Sequence, residues 1–445
     1  MYSEIKECIL CKGKALKDVL DLGIQYVVCF PKDKDEKLLK APLTLVQCVN
    51  CSLIQLKHRV SQDRLYKKFW YRSGINEQMK DELLAIVQHA DNMVDLRDGD
   101  RVLDIGCNDG TLLGCYNKHV VTVGIDPCKD LVHEGMQAHK IDVGIADYFS
   151  ADTISKAFSS IGILSKIRFK VITAVSMFYD VLEPVKFLKD CKELLDREGV
   201  LVIQMNYLVS MLKDNAFDFI CHEHAALYSV QTLSKAVEMA DLEFAGLDIS
   251  KSNGGSLRAY ITHKGFDAFG VNNTKEKLWL ATNHLMKLRD EMNMHMESDL
   301  PYKNLQTRMD STMFKLKTYL EKLAADGKRV YVAGASTRGT VLLQYLYTKA
   351  GWGKDNCPSP LLGVADRDIH KHGLRMVGSW LPIMSEEKVR KDATHMLVLP
   401  WHFKESITKR EREWIMGGGE LIFPLPEVQV VNRTILSEAL TYETI

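Results

Sequence analysis

Four cysteines stand in two matched pairs near the start of the chain, Cys8-x2-Cys11 and Cys48-x2-Cys51. A Cys-x2-Cys knuckle turns two thiolates to one side, and two knuckles close a tetrahedral shell around zinc. Four cysteine ligands leave no open coordination position, so the expected zinc is structural. A second chemistry lies in Asp104-Ile-Gly106-Cys-Asn108-Asp109-Gly110, which follows a short apolar run. Its glycines let the backbone pass close to a ligand at the end of a strand. The turn has neither the G-x-G-x-x-G spacing of dinucleotide enzymes nor the lysine of a phosphate loop, and its acids would repel a polyphosphate. They suit a ligand with a cationic centre and an ammonium group. Beyond it, Asp126 ends the next apolar run, where a carboxylate can accept both hydroxyls of a ribose. This combination points to S-adenosylmethionine (SAM), with Asp147 and Tyr148 placed to flank the adenine.

His222-Glu223-His224 is the densest acid–base cluster in the chain. Its plain alternative is a capping or surface group ahead of a helix that begins near Ser229. His222 and His224 are not expected to share one face. There is no H-E-x-x-H spacing, so no catalytic metal is expected.

These residues need elements to hold them. Apolar spacings of three and four predict a helix over about 75–96, and Val102–Ile105 reads as a buried strand entering the Gly-rich turn. Strand and helix patterns then alternate through VVTVGID, IDVGIADYF, FKVITAV, VKFLKDCKELL and GVLVIQM, which predicts a doubly wound parallel α/β sheet. VQTLSKAVEMAD reads as a helix, and LEFAGLDIS with GGSLRAYITH as a hairpin. Residues 272–327 are charged and helical, and after Gly327 a second strand–helix alternation begins. The expected division is a zinc-binding domain at 1–70, a SAM-binding domain at 71–265, a helical connection at 266–327 and a C-terminal Rossmann-like domain at 328–445.

The whole chain sets limits on partners. Its 445 residues hold 58 Lys+Arg against 58 Asp+Glu, so no long-range field favours nucleic acid or an anionic membrane. No apolar run approaches the ~18 residues of a membrane-spanning helix. Eleven cysteines, an odd number spread over a long chain, argue against a secreted disulfide framework. The expectation is a reduced, cytoplasmic globular protein whose oligomeric state is not legible.

CILC with CVNC, YRSGINEQM, VLDIGCNDGTLL, ICHEHAALYSV, NGGSLRAYI, VAGASTRGTVLLQYL and LPWHF…GGGELIFPLPEVQVV stand in an order that resembles the nucleotide-sugar C-methyltransferases. The resemblance covers nearly the whole chain. It implies a class I methyltransferase core that binds SAM, a structural zinc, and a nucleotide sugar lying between the central and C-terminal domains. It further implies methyl transfer to carbon 3 of a deoxy-4-keto sugar through an enolate, which calls for a base and a donor to the oxygen. On the residues that match, His224 is the general base and Glu223 its partner or orienting carboxylate, with His222 beside them. Relatives often carry tyrosine where this chain has Cys221, which leaves Tyr71 of WYRSG as the candidate to hydrogen-bond the keto oxygen.

Sugar-side candidates are Ser73 and Asn76 in YRSGINEQM, Asn206 and Tyr207 at the end of GVLVIQM, and Asn253 and Gly255 in the hairpin turn. Ser336, Thr337 and Arg338 open a helix after a strand and suit a diphosphate, with Asp366 after the next strand near the nucleotide. A methyltransferase acting on oxygen or nitrogen of a small metabolite is the alternative within the same class. A non-catalytic zinc-bearing adaptor is the alternative outside it, opposed by the complete set of Asp104, Gly106, Asp109 and Asp126.

Overall fold

The computed structural model describes residues 2–66, 72–75, 77–116, 119–163, 166–250, 252–268, 274–353 and 357–442. The chain opens with β1 (Tyr2–Glu4), β2 (Leu16–Tyr26), β3 (Lys40–Cys48), β4 (Ile54–Leu56), β5 (His58–Val60) and the short helix α1 (Gln62–Tyr66). β2, β3 and β4 form an antiparallel sheet, and β1 pairs with β5. Cys48 ends β3 and Cys51 lies in the turn before β4, so the second knuckle is also a strand connection.

The helix expected over 75–96 is α2 (Glu77–Met93), and its apolar stripe Met79, Leu83, Ile86, Val87, Ala90 and Met93 is buried. There follow β6 (Arg101–Ile105), β7 (Val121–Ile125), α3 (Lys129–Gln137), β8 (Val143–Ile145), α4 (Ala151–Ser160), β9 (Phe169–Val175), α5 (Pro184–Leu194) and β10 (Leu195–Asn206). After α6 (Leu208–Lys213) come β11 (Ala226–Leu227), α7 (Val230–Met239), β12 (Glu243–Ser250) and β13 (Ser256–Thr262). The central sheet has the order β12-β13-β10-β9-β6-β7-β8, parallel from β10 to β8 and antiparallel at the hairpin. This is the doubly wound sheet that the sequence pattern predicts. Its strand order reverses at β6, and ligands in such sheets bind outside the carboxyl ends of the strands at that point.

β11 was not foreseen. It leaves the central sheet's neighbourhood to pair with β4, Ala226 with Gln55 and Leu227 with Ile54, and so becomes the edge of the N-terminal sheet. The segment just after His224 is thereby fixed to the cysteine-bearing unit, and Leu56 N–H adds a bond to Ala225 O at 3.0 Å.

Two long helices, α8 (Thr274–Asn293) and α9 (Leu300–Ala325), lead to the last part of the chain. There β14 (Val330–Ala333), α10 (Thr337–Ala350), β15 (Leu361–Asp366), β16 (Ile383–Ser385), β17 (His395–Val398), β18 (Glu420–Phe423) and β19 (Gln429–Val431) build a second sheet, ordered β16-β15-β14-β17-β18-β19. Only β19 runs antiparallel to its neighbour, so this sheet too has a point of reversal, beside β14. No described helix is long and apolar enough to cross a membrane.

Candidate active site

A cavity of about 880 Å³ lies where the carboxyl ends of the two sheets face each other. Residues after β6, β7, β9 and β10 line one side, and residues after β14, β15 and β17 the other. A volume of that size is at the upper end for small-molecule sites.

The Gly-rich turn forms one end. Gly106 and Gly110 have φ of +73° and +70°, the left-handed region that glycine reaches without cost. A Cβ at Gly106 would sit 3.1 Å from Met177 Cγ, and one at Gly110 2.7 Å from Ile141 Cγ1, so space as well as angle demands glycine. The Gly106 and Cys107 N–H groups both donate to Ile125 O, which fastens the turn to β7. Asp126 then receives one backbone N–H on each oxygen, from Asn108 at 3.1 Å and Cys128 at 2.8 Å. A carboxylate oxygen has a second lone pair, so both remain able to accept from a ligand hydroxyl.

Asp104 lies deeper. Thr173 Oγ1 donates to it at 2.6 Å, yet burial, with Asp126 adding its charge, pushes its carboxyl up to about 7. Asp109 faces elsewhere: it accepts from Gly74 N, Thr111 N and Thr111 Oγ1, and so ties the segment ahead of α2 to the turn. Asn108 Oδ1 does the same for Ser73 N at 3.1 Å. Ser73, Asn108, Asp147 and Tyr148 line the cavity, whereas Asp109 and Gly110 support it from behind. Tyr148 O–H donates to Asp63 at 3.1 Å.

His224 stands mid-cavity between two aromatic rings, Tyr179 at 4.3 Å and Phe219 at 4.1 Å between centroids. Its Nδ1 is 2.6 Å from Phe219 O. A carbonyl only accepts, so Nδ1 carries the hydrogen and Nε2 the lone pair. The sequence suggested a histidine tuned near pH 7. Burial, with Arg338 adding repulsion, instead holds the ring at about 3, so it is neutral throughout the physiological range. Glu223 is buried beside the Cys221 thiol and its carboxyl is pushed up by desolvation. His222 turns the other way, with Nε2 3.1 Å from Ala41 O, and does not line the cavity. Tyr71 and Asn76 lie outside the described residues.

Toward the second sheet, Asn206 Nδ2 donates to Asn253 O at 3.0 Å and both residues line the cavity. Tyr207 and Gly255 do not: the phenol donates to Glu291 at 2.8 Å, and Gly255 packs on Ser210. Ser336 caps α10 by accepting Gly339 N at 3.0 Å. Asp366 accepts Ala335 N at 2.6 Å, and Lys371 Nζ donates to Ala335 O at 2.9 Å. Ser336, Thr337, Asp366 and Lys371 all line this end. Arg338 is engaged within the protein. Its Nε and Nη2 grip the two oxygens of buried Asp218 at 3.0 and 3.1 Å, and Nη1 donates to Asn253 O at 2.8 Å. Trp401 Nε1 completes Asp218 at 3.0 Å. The guanidinium thus closes the seam between the two sheets, and Arg338 also lines the cavity.

Sequence reasoning missed Tyr66, Tyr179 and Asp180, which line the cavity around His224 and Glu223. Asp180 carries the one signal that could have found it: an acid a few residues past the carboxyl end of the strand FKVITAV.

Apart from the cavity, the four cysteine sulfurs lie within 4.8 Å of one another. Cys8 and Cys51 are 3.6 Å apart and Cys11 and Cys48 3.5 Å. Those spacings exclude disulfides, at ~2.05 Å, and approach the ~3.8 Å edge of a tetrahedron with ~2.3 Å zinc–sulfur bonds.

Three family models match in succession: "Putative zinc binding domain" over residues 8–66, "Methyltransferase domain" over 71–245 and "C-methyltransferase C-terminal domain" over 251–426. C-methyltransferase NovU of Streptomyces niveus is 25% identical over 444 residues, 96% of this chain and 97% of that one. A ubiquinone biosynthesis O-methyltransferase of Haemophilus ducreyi is 26% identical over 27% of this chain and 58% of its own. The solved magnesium protoporphyrin IX methyltransferase of Synechocystis PCC 6803 is 14% identical with a TM-score of 0.30, covering 42% of this chain and 79% of that one. With its Gly-rich turn at the reversal point of a doubly wound sheet, flanked by a four-cysteine unit and the C-methyltransferase C-terminal domain, the chain is a SAM-dependent methyltransferase of the C-methyltransferase kind.

Proposed function

We propose that the enzyme methylates a carbon, C3, of a nucleotide-linked 4-keto-deoxysugar. The observation that carries this reading is the continuous cavity between the two sheets: it runs from Asp104 and Asp126 past His224 to Ser336, Asp366 and Lys371. One small acceptor does not need the second sheet, whereas a sugar joined to a nucleotide spans from one to the other.

SAM supplies a sulfonium-bound methyl group, an electrophile that a sugar carbon attacks only after losing a proton. Buried carboxyl groups at Asp104 and Asp126, with the tight left-handed turn at Gly106 between them, fit its ammonium and ribose. The carbon beside a ketone is the acidic one. His224 Nε2, a lone pair fixed in direction by the Phe219 O contact, is the base that takes its proton. Tyr179 and Phe219 exclude water from that ring, and Asn206 and Asn253 border the sugar. The N-terminal end of α10 and Lys371 lie toward the nucleotide phosphates. The N-terminal cysteines hold one structural zinc, which the sulfur spacings favour.

Mass spectrometry of products from a panel of nucleotide 4-keto sugars with SAM tests the reading. It expects a gain of one methyl that resists treatments cleaving O- and N-methyl groups. Methylation confined to hydroxyl or amine acceptors would replace it with the alternative chemistry.

A further inference from the structure

Two carboxyl groups line the cavity beside His224, near enough for the charge of one to act on the other. Asp180 ends the turn Phe178–Asp180 and Glu223 directly precedes the histidine. Asp180 Oδ1 and Glu223 Oε2 are both enclosed without a hydrogen-bond donor, an arrangement that two ionised carboxylates could hold only at high cost. Among the described residues, the titratable groups set against the pair are Tyr66 of α1, Tyr179, Cys221 and, toward Glu223, Cys29, none of them cationic. His224, also adjacent, is neutral.

The Tyr66 hydroxyl donates to the Glu223 backbone carbonyl at 2.8 Å. Burial, with the Glu223 charge adding to it, raises the Asp180 carboxyl well above the usual range.

We propose that Asp180 and Glu223 hold one proton between them at neutral pH, and that this neutral carboxyl group donates a hydrogen bond to the substrate's carbonyl oxygen while His224 removes the adjacent carbon's proton. The proposal rests on the C-methylation reading above. The C–H electron pair moves into the carbon–carbon–oxygen frame, the proton passes to His224 Nε2, and the charge growing on oxygen is met by the acid. The carbon then bonds to the methyl group, and the methyl–sulfur pair returns to sulfur as a neutral thioether. A carboxylic acid kept neutral by its surroundings is well suited to stabilising an enolate. Cys221, a buried thiol acted on by both carboxyl charges, stands within the same group.

Infrared spectroscopy of the full-length protein at neutral pH gives a test that does not depend on turnover. In the Asp104→Asn background, which removes the other carboxyl group raised to about 7, the carbonyl band of a neutral carboxylic acid should be present and should be lost when Asp180→Asn/Glu223→Gln is added. Asp180→Ala should lower kcat by ~10²–10³-fold with SAM affinity retained, which also reports that the variant folds. Asp180→Asn keeps a donor, so it should retain more activity than alanine while losing the alkaline fall in kcat that ionisation of the acid causes. A neutral carboxyl band that is absent before the Asp180→Asn/Glu223→Gln changes or unaltered by them, or an alkaline limb unchanged in Asp180→Asn, overturns the proposal. Wild type that methylates a keto-sugar carbon, where Asp104→Asn protein lacks that band, overturns this inference alone; wild type that methylates no keto sugar overturns the functional reading with it.

Discussion

At the scale of residues the site works by choosing protonation states. His224→Ala removes the proposed base but touches neither the Gly-rich turn nor the α10 end, so turnover should fall ~10²–10⁴-fold with SAM affinity nearly intact. Calorimetry beside single-turnover kinetics checks both halves, and full turnover in the variant would sink the assignment. Asp104 gives a pH signature. Its carboxyl is raised from 3.8 to about 7, so below that pH it is protonated in the free protein. The ligand's cation favours the ionised form, hence SAM binding should strengthen as pH rises toward 7, level off above it, and release a proton below it. Titrations in buffers of different ionisation enthalpy detect that proton, and Asp104→Asn should abolish it. Folding has the opposite sign: this group's contribution is fully present below 3.8 and lost as pH rises through about 7, so the asparagine variant should lack that slope. Asp104, Gly106 and Asp126 were legible because a strand, a glycine turn and a second strand make a local pattern. The Asp180–Tyr66–Glu223 group was not, since its members come from three separate stretches and no spacing joins them.

Elements explain why the N-terminal unit matters to catalysis. The Cys48–Cys51 knuckle leads straight into β4, β4 pairs with β11, and β11 follows His224 with one residue between. Arg59 reinforces the join by donating to Ala225 O at 2.5 Å. Cys48→Ser is therefore expected to lose stoichiometric zinc, lower the melting temperature and depress turnover, although no cysteine of the shell lines the cavity. Metal analysis, thermal denaturation and activity on one preparation test the chain of effects; native protein without stoichiometric zinc would remove its first link. The paired cysteines, the α2 stripe and the β12–β13 hairpin could all be read from periodicity and turn residues. β11 could not, because two residues have no period and its partner lies far away in sequence.

Across the whole molecule, the two sheets are held face to face by the Asp218–Arg338 pair. Asp218 is fully buried and also accepts Trp401 Nε1, while Arg338 reaches Asn253 O of the hairpin turn. Removing one partner strands the other, so Asp218→Ala should cost ~3–5 kcal/mol, read by denaturant unfolding. It should also weaken the nucleotide-sugar KM more than SAM binding, because only the former ligand is proposed to bridge the seam. A variant with wild-type stability would mean that the seam is held elsewhere. The strand–helix alternation after Gly327 revealed a second sheet, but not that its carboxyl ends would face those of the first. That arrangement depends on a buried ion pair between residues 218 and 338, which local sequence does not encode.

The borrowed edge strand also sets an order of events during synthesis. When the cysteine unit leaves the ribosome, β4 has β3 on one side and an open row of backbone groups on the other. Its second partner is about 170 residues later, roughly ten to thirty seconds of translation away. Throughout that interval the nascent chain carries an unpaired strand edge, the feature most prone to joining another chain. The first unit to emerge is thus among the last to be completed, and its closure coincides with the arrival of His224.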